Sequence, residues 1–157
     1  MGVDFYAFTE DVAVRRHEID GLDYEEWRKV KIEEHLEEFA YIRESYHGMT
    51  HAVPVFAEET YNDSRDEAAE KENGILRMGN YVSIPARILK ERLPATEEAC
   101  WDRARGYAKA AASYGNPESE EETRKYAEGQ IEEFRKIVEV AEKEELEGRR
   151  VWLYNSY

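Results

Sequence analysis

Both ends of the chain read as β-strands, which constrains the fold more than anything between them. Gly2-Val3-Asp4-Phe5-Tyr6-Ala7-Phe8 is short, aromatic and β-branched, with no helical spacing of its apolar positions. Val151-Trp152-Leu153-Tyr154-Asn155-Ser156-Tyr157 closes the chain in the same manner. An isolated strand leaves its backbone groups unpaired, so the two ends are expected side by side in one sheet. Most of what lies between them carries helical signals. The expectation is a single α+β domain spanning residues 1–157, with a small, largely antiparallel sheet that includes both terminal strands. About four helices cover one face of that sheet.

The internal elements follow from periodicity and punctuation. Asp11 to Asp20 is ambiguous: Val12 and Val14 alternate like a short strand ahead of an Asp20-Gly21 turn, which leaves a hairpin open there. Asp23 and Glu26 have capping-box spacing, and Ile32, Leu36, Phe39 and Tyr46 predict one helix from Tyr24 to about Tyr46, ended by Gly48. His51 to Ala57 reads as a strand placed at an edge or a bulge by Pro54. Glu58 to Gly74 is the least apolar stretch and predicts a loop or a loosely docked helix. Ile75 to Ile84 predicts a strand pair, or one bulged strand, around Gly79-Asn80. Ser83 and Thr96 are expected to cap two successive helices separated by Pro94, the second ending at Gly115. Asn116 and Pro117 then start a last helix running to about Glu147, on the order of 45 Å long at the usual rise.

Charge narrows the function classes. The 157 residues carry a formal net charge of −14, so phosphate backbones and anionic membrane surfaces are repelled by the averaged field. No stretch reaches the roughly 18 apolar residues of a membrane span, and the first residues lack the pattern of a secretory signal. A cytoplasmic protein with no membrane contact, no direct nucleic-acid partner and no cofactor is expected. Cys100 has no second cysteine to pair with, and its Ala99-Cys100-Trp101 setting suggests packing.

The two ends also carry a likeness. Met1-Gly2-Val3-Asp4-Phe5-Tyr6 is similar to the MGLDMYL opening, and Trp152-Leu153-Tyr154-Asn155-Ser156-Tyr157 to the YYQSSW ending, of a family of small uncharacterised bacterial and phage proteins. The chain resembles that family over about a dozen residues, and Phe39-Ala40-Tyr41-Ile42-Arg43 loosely resembles its YWRK stretch. The resemblance implies a bacterial or phage accessory protein whose terminal segments pair in one sheet. The family has no established activity to carry over.

Few constellations carry chemistry. His47 and His51 stand at i and i+4, the spacing of zinc-dependent hydrolases, but the glutamate that serves those enzymes as base is replaced by Gly48. Glu44 or Glu58 would have to supply a third ligand, and two ordinary surface histidines are the plainer reading. Ser45, His47 and Asp63 form no nucleophile-elbow motif. Gly74 to Asn80 lacks the Lys-Ser/Thr of a phosphate loop. Catalytic residues are therefore not assigned.

Two surface features remain. Glu118 to Glu147 holds twelve glutamates against five basic residues, with acid-first pairs such as Glu132–Lys136 and Glu139–Lys143 that support a solvated helix. Glu121, Glu122, Glu132 and Glu133, together with Tyr154 and Tyr157, are the candidate contacts for a host protein with a basic surface. Such a protein would act as a phage-encoded inhibitor, with a nucleic-acid-binding or defence enzyme as its target. The alternative is a nucleotide-binding or sequestering protein with a Tyr- and Arg-lined pocket drawing on Arg43, Arg77 and Arg87. A metal-dependent enzyme at His47 and His51 is a third reading. The stripe Phe134, Ile137, Val138, Ala141 and Leu146 serves either a homodimer contact or packing on the chain's own sheet.

Overall fold

The computed structural model describes residues 2–45, 50–61 and 65–156. Strand β1 (Gly2–Thr9) runs straight into helix α1 (Glu10–Ile19), which is followed by α2 (Tyr24–Glu33) and strand β2 (Ala40–Ser45). A short helix α3 (Val53–Ala57), a 3-10 turn at Glu58–Thr60 and α4 (Glu67–Glu72) lead to the hairpin β3 (Leu76–Met78) and β4 (Tyr81–Ser83). Two long helices, α5 (Ala86–Ser113) and α6 (Glu120–Leu146), precede β5 (Val151–Ser156). The sheet is antiparallel throughout, in the order β2-β1-β5-β4-β3, so the two terminal strands pair with each other inside it.

Strand alternation sorts the sheet into two unlike faces. Val3, Phe5 and Ala7 of β1 point to one side, where Phe5 and Ala7 join Ile42, Leu153, Phe56 and Phe134 in the main core. Phe134 meets Phe56 edge to face at 4.8 Å, and Phe56 meets Phe5 in the same manner at 6.4 Å. Helices α3, α5 and α6 cover this face, and the stripe Phe134, Ile137, Val138 and Ala141 is buried against it. Leu146, at the end of the stripe, is 87% exposed. Asp4, Tyr6 and Phe8 point to the other side. There Ala13 of α1 packs with Phe8, Tyr81 and Trp152 in a second, smaller core. The helices thus lie on both faces rather than one.

Several boundaries differ from the sequence expectation, each for an identifiable reason. The ambiguous segment Asp11 to Asp20 is α1 rather than a hairpin strand, because Ala13, Arg16 and Ile19 share a buried helical face while Val14 is exposed. The helix expected from Tyr24 to Tyr46 stops at Glu33, and His35 takes a positive φ of 55°. Beyond it Ala40, Ile42 and Glu44 are buried in alternation, and their pairing with β1 makes them a strand. Val53–Ala57 is helical, with Pro54 tolerated in its first turn. Pro94 lies inside α5 rather than between two helices, and the Thr96 hydroxyl donates back to the Arg92 carbonyl at 2.7 Å instead of capping. The start of α5 is covered from afar by the Glu145 carboxylate, which accepts from the Ala86 N–H at 3.1 Å. Ser119, not Asn116, caps α6, accepting from the Glu122 N–H at 3.1 Å.

Other expectations stand as read. Asp23 accepts from the Glu26 N–H at 3.0 Å, and the turn between β3 and β4 carries Gly79 at a φ of 58°. Among the described residues no helix is long and apolar enough to cross a membrane.

Candidate functional site

Four tyrosines cross the sheet in one row. Tyr41 of β2 is the register partner of Tyr6 of β1, which is in turn the partner of Tyr154 of β5, and Tyr81 of β4 completes the row. Ring centroids are 5.1 Å apart for Tyr41–Tyr6, 6.1 Å for Tyr6–Tyr154 and 5.4 Å for Tyr154–Tyr81, all tilted by about 40° to each other. Directly opposed strand positions bring such pairs together, so the row follows from the register.

Helix α2 walls this row on one side. It buries none of its ten residues: Tyr24 is 70% and Ile32 61% exposed. A helix this short is marginal by itself. Its ties to the rest of the chain run through Trp27 and Glu34, the latter bonded to Arg15 at 2.9 Å. Trp27 faces the Arg16 guanidinium at 5.3 Å, and the same guanidinium lies 4.5 Å over the Phe8 ring. Lys31 reaches over the Trp27 ring at 5.2 Å. Between α2 and the sheet lies a cleft of about 580 Å³ lined by Tyr6, Tyr41, Tyr81, Tyr154, Trp27 and Arg16, with Lys31, Asp20 and Glu38 among its rim residues. Such a volume lies within the range of small-molecule sites.

Arg16 is fixed from several directions. It is 8% exposed, its Nη1 donates to the Leu36 carbonyl at 2.7 Å, and its Nε donates to the Tyr81 hydroxyl at 3.3 Å. Burial, with the carboxylates of Asp4 and Glu38 beside it, pushes the Tyr6 phenol above its usual range. Burial does the same to Tyr81, against the opposing pull of Arg16. Tyr41 is raised chiefly by the hydrogen bond its hydroxyl donates to Asp4. These three phenols stay protonated at neutral pH, and Tyr41 donates to Asp4. Asp20, at the C-terminal end of α1, is raised by burial despite His17 and Arg16 nearby.

The arginines expected to line a pocket do not converge. Arg43 sits on β2 and pairs with Asp4 at 3.7 Å, whereas Arg77 is on β3 at the opposite edge of the sheet. Arg77 is held by Glu70 at 2.7 Å and donates to the Glu59 carbonyl at 2.9 Å. Arg87 donates to the Asn73 carbonyl at 2.9 Å. Of the expected contacts, Tyr154 lies in the cleft, and Tyr157 and His47 fall outside the described residues. Glu121 pairs with Arg124 at 2.6 Å, and Glu122 and Glu132 are exposed on α6. Glu133 serves the fold, accepting from the Tyr41 N–H at 3.2 Å and so blunting the edge strand β2.

The metal reading finds no support from its neighbours. Glu44 is fully buried and commits both oxygens to the first N–H groups of α3, Ala52 at 2.8 Å and Val53 at 3.0 Å. It faces the equally buried Arg103, which donates to the Thr50 carbonyl and the Tyr126 hydroxyl, both at 3.2 Å. His51 lies beside the Ser45 carbonyl at 3.2 Å, and Ser45 Oγ is 3.1 Å from the Tyr107 hydroxyl. Among the described residues no group of three or more His, Cys, Asp or Glu side chains is placed to hold a metal ion.

Sequence reasoning singled out Tyr154, as a partner contact, and did not assign Arg16, Trp27, Tyr41 or Tyr81 to a site. The signal for Arg16 was its place three residues from both Ala13 and Ile19, the buried stripe of a helix. No family model, curated protein or solved structure matches the chain.

Proposed function

We propose that this is a binding protein that holds a small planar ligand in the tyrosine cleft. The row of four tyrosines facing Trp27 across about 580 Å³ carries the reading. Flat aromatic faces beside a few convergent polar groups are the usual composition of a small-molecule site. The expectation of a Tyr- and Arg-lined nucleotide pocket is kept in class and changed in residues, with Arg16 in place of Arg43, Arg77 and Arg87. The test is a thermal-shift panel of ribonucleosides and their mono- and triphosphates on the intact protein. A ligand at 100 times its dissociation constant adds about 2.7 kcal/mol. A flat panel removes the reading.

A second reading gives the same face a protein partner with a basic surface, and a role as inhibitor of a host enzyme in a bacterial or phage setting. The observation in its favour is α2, whose Tyr24 and Ile32 stand exposed beside the cleft and would gain burial from a partner. Affinity purification from bacterial lysate at low and high salt tests it, and an empty column at both counts against it.

A further inference from the structure

We infer that Arg16 is the anion receptor of the cleft, and that the ligand is a planar heteroaromatic ring bearing one oxyanion group, the chemistry of a nucleoside monophosphate. The inference rests on the small-ligand reading above. Arg16 is stacked between Phe8 and Trp27 and anchored by the Leu36 carbonyl and the Tyr81 hydroxyl. Its hydrogen bonds to described residues use two of the five N–H groups a guanidinium carries. Arg16 lines the cleft, and a guanidinium's remaining N–H groups have the fork geometry that suits a phosphate or carboxylate.

The surroundings set the size of the anion. Lys31 brings a second cation to the cleft, and the protonated phenols of Tyr6 and Tyr81 add donors. Tyr81 accepts from Arg16 and so keeps its own O–H to give. Asp20 and Glu38 line the same cleft, so its two cations face two carboxylates. One phosphate is matched by Arg16 and Lys31. A triphosphate would bring its further charges against Asp20, Glu38 and a chain already at −14. The ring lies over the Tyr6–Tyr154 pair, where the two carboxylates can accept from amino or hydroxyl groups at its edge.

The test is titration calorimetry of the intact protein with adenosine and guanosine, their mono- and triphosphates, and indole carboxylate. The monophosphate is expected to bind at least about tenfold tighter than its nucleoside, the triphosphate no tighter than the monophosphate, and the advantage to shrink with added salt. Arg16→Lys and Lys31→Gln are each expected to narrow the gap between monophosphate and nucleoside affinity. Because Arg16→Lys also disturbs the brace to Leu36, Lys31→Gln and the salt series carry the test if that variant fails to fold. Equal affinity for nucleoside and monophosphate overturns the assignment of Arg16 and leaves the cleft as a ring-binding site. Binding by none of the probes removes the small-ligand reading itself. Indole carboxylate bound more tightly than any monophosphate identifies the oxyanion as a carboxylate and overturns the nucleotide source.

Discussion

The two faces of the sheet are built from the same strands and do opposite things with aromatic side chains. On the face covered by α3, α5 and α6, Phe5, Phe56 and Phe134 are fully buried and pack into the apolar core. On the other face the aromatic side chains are mostly tyrosines, with Arg16 pressed among them and a ten-residue helix with no fully buried residue as the wall. Alternation places residues on one face or the other, and hydroxyls decide which face can stay open to solvent. The covered face holds the main core, and the other face carries the cleft beside its smaller core.

That contrast can be broken by mutation. Phe134→Ala removes a ring from the packed side and is expected to cost about 4 kcal/mol, read as a lower urea midpoint with ligand binding lost only through unfolding. Arg103→Met strands the buried Glu44 and is expected to cost about 3 kcal/mol. The double variant with Glu44→Gln should recover part of that loss in a double-mutant cycle. Tyr154→Ala, on the open side, is expected to cost about 1 kcal/mol of stability while weakening ligand binding by more than tenfold. Were Tyr154→Ala as destabilising as Phe134→Ala, the division of labour between the faces would be wrong.

Alkaline titration sharpens the same comparison. Tyr6, Tyr41 and Tyr81 have folded-state values raised above the ordinary 10.0. Their contribution to stability is complete below pH 10 and is lost as the pH climbs through the raised values, since the unfolded phenols ionise first. Cys100, buried on the covered face, is pushed up from 9.0 to about 12 and adds a loss of the same sign that begins nearer pH 9. Ultraviolet titration of the native protein should show a late-ionising set of phenols, and Cys100 should resist thiol reagents until the chain unfolds. The smallest effect is at Asp20. Its charge sits at the C-terminal end of α1, so Asp20→Asn is expected to stabilise by about 0.3 kcal/mol at neutral pH while costing ligand affinity.

Legibility followed how local each determinant is. The terminal strands, the Gly79 turn and the Asp23 cap are written in runs of neighbouring residues and were readable. Ala40 to Glu44 was not: Ile42 beside Phe39 fits a helix equally well, and pairing with β1, far away in sequence, decides the matter. Pro94 looked like a break because a proline lacks the N–H a helix needs, yet the surrounding turns carry α5 through it. The site was half legible for the same reason. Tyr6 and Tyr154 alternate visibly within terminal strands, whereas the place of Tyr41 and Tyr81 in the row depends on strand order. Arg16 became readable only once its segment was a helix.

The pairing of β1 with β5 also has a temporal side. The first strand waits for a partner that leaves the ribosome after the two longest helices, so the sheet closes through contacts of nearly maximal sequence separation, which are slow to form. The helical hairpin of α5 and α6 can be complete while β1 is still partnered only by β2. Tyr6 then has no Tyr154 beside it, and the tyrosine row is incomplete. Any fragment ending before β5 would carry the acidic helix without Tyr154 and Ser156 of the cleft wall.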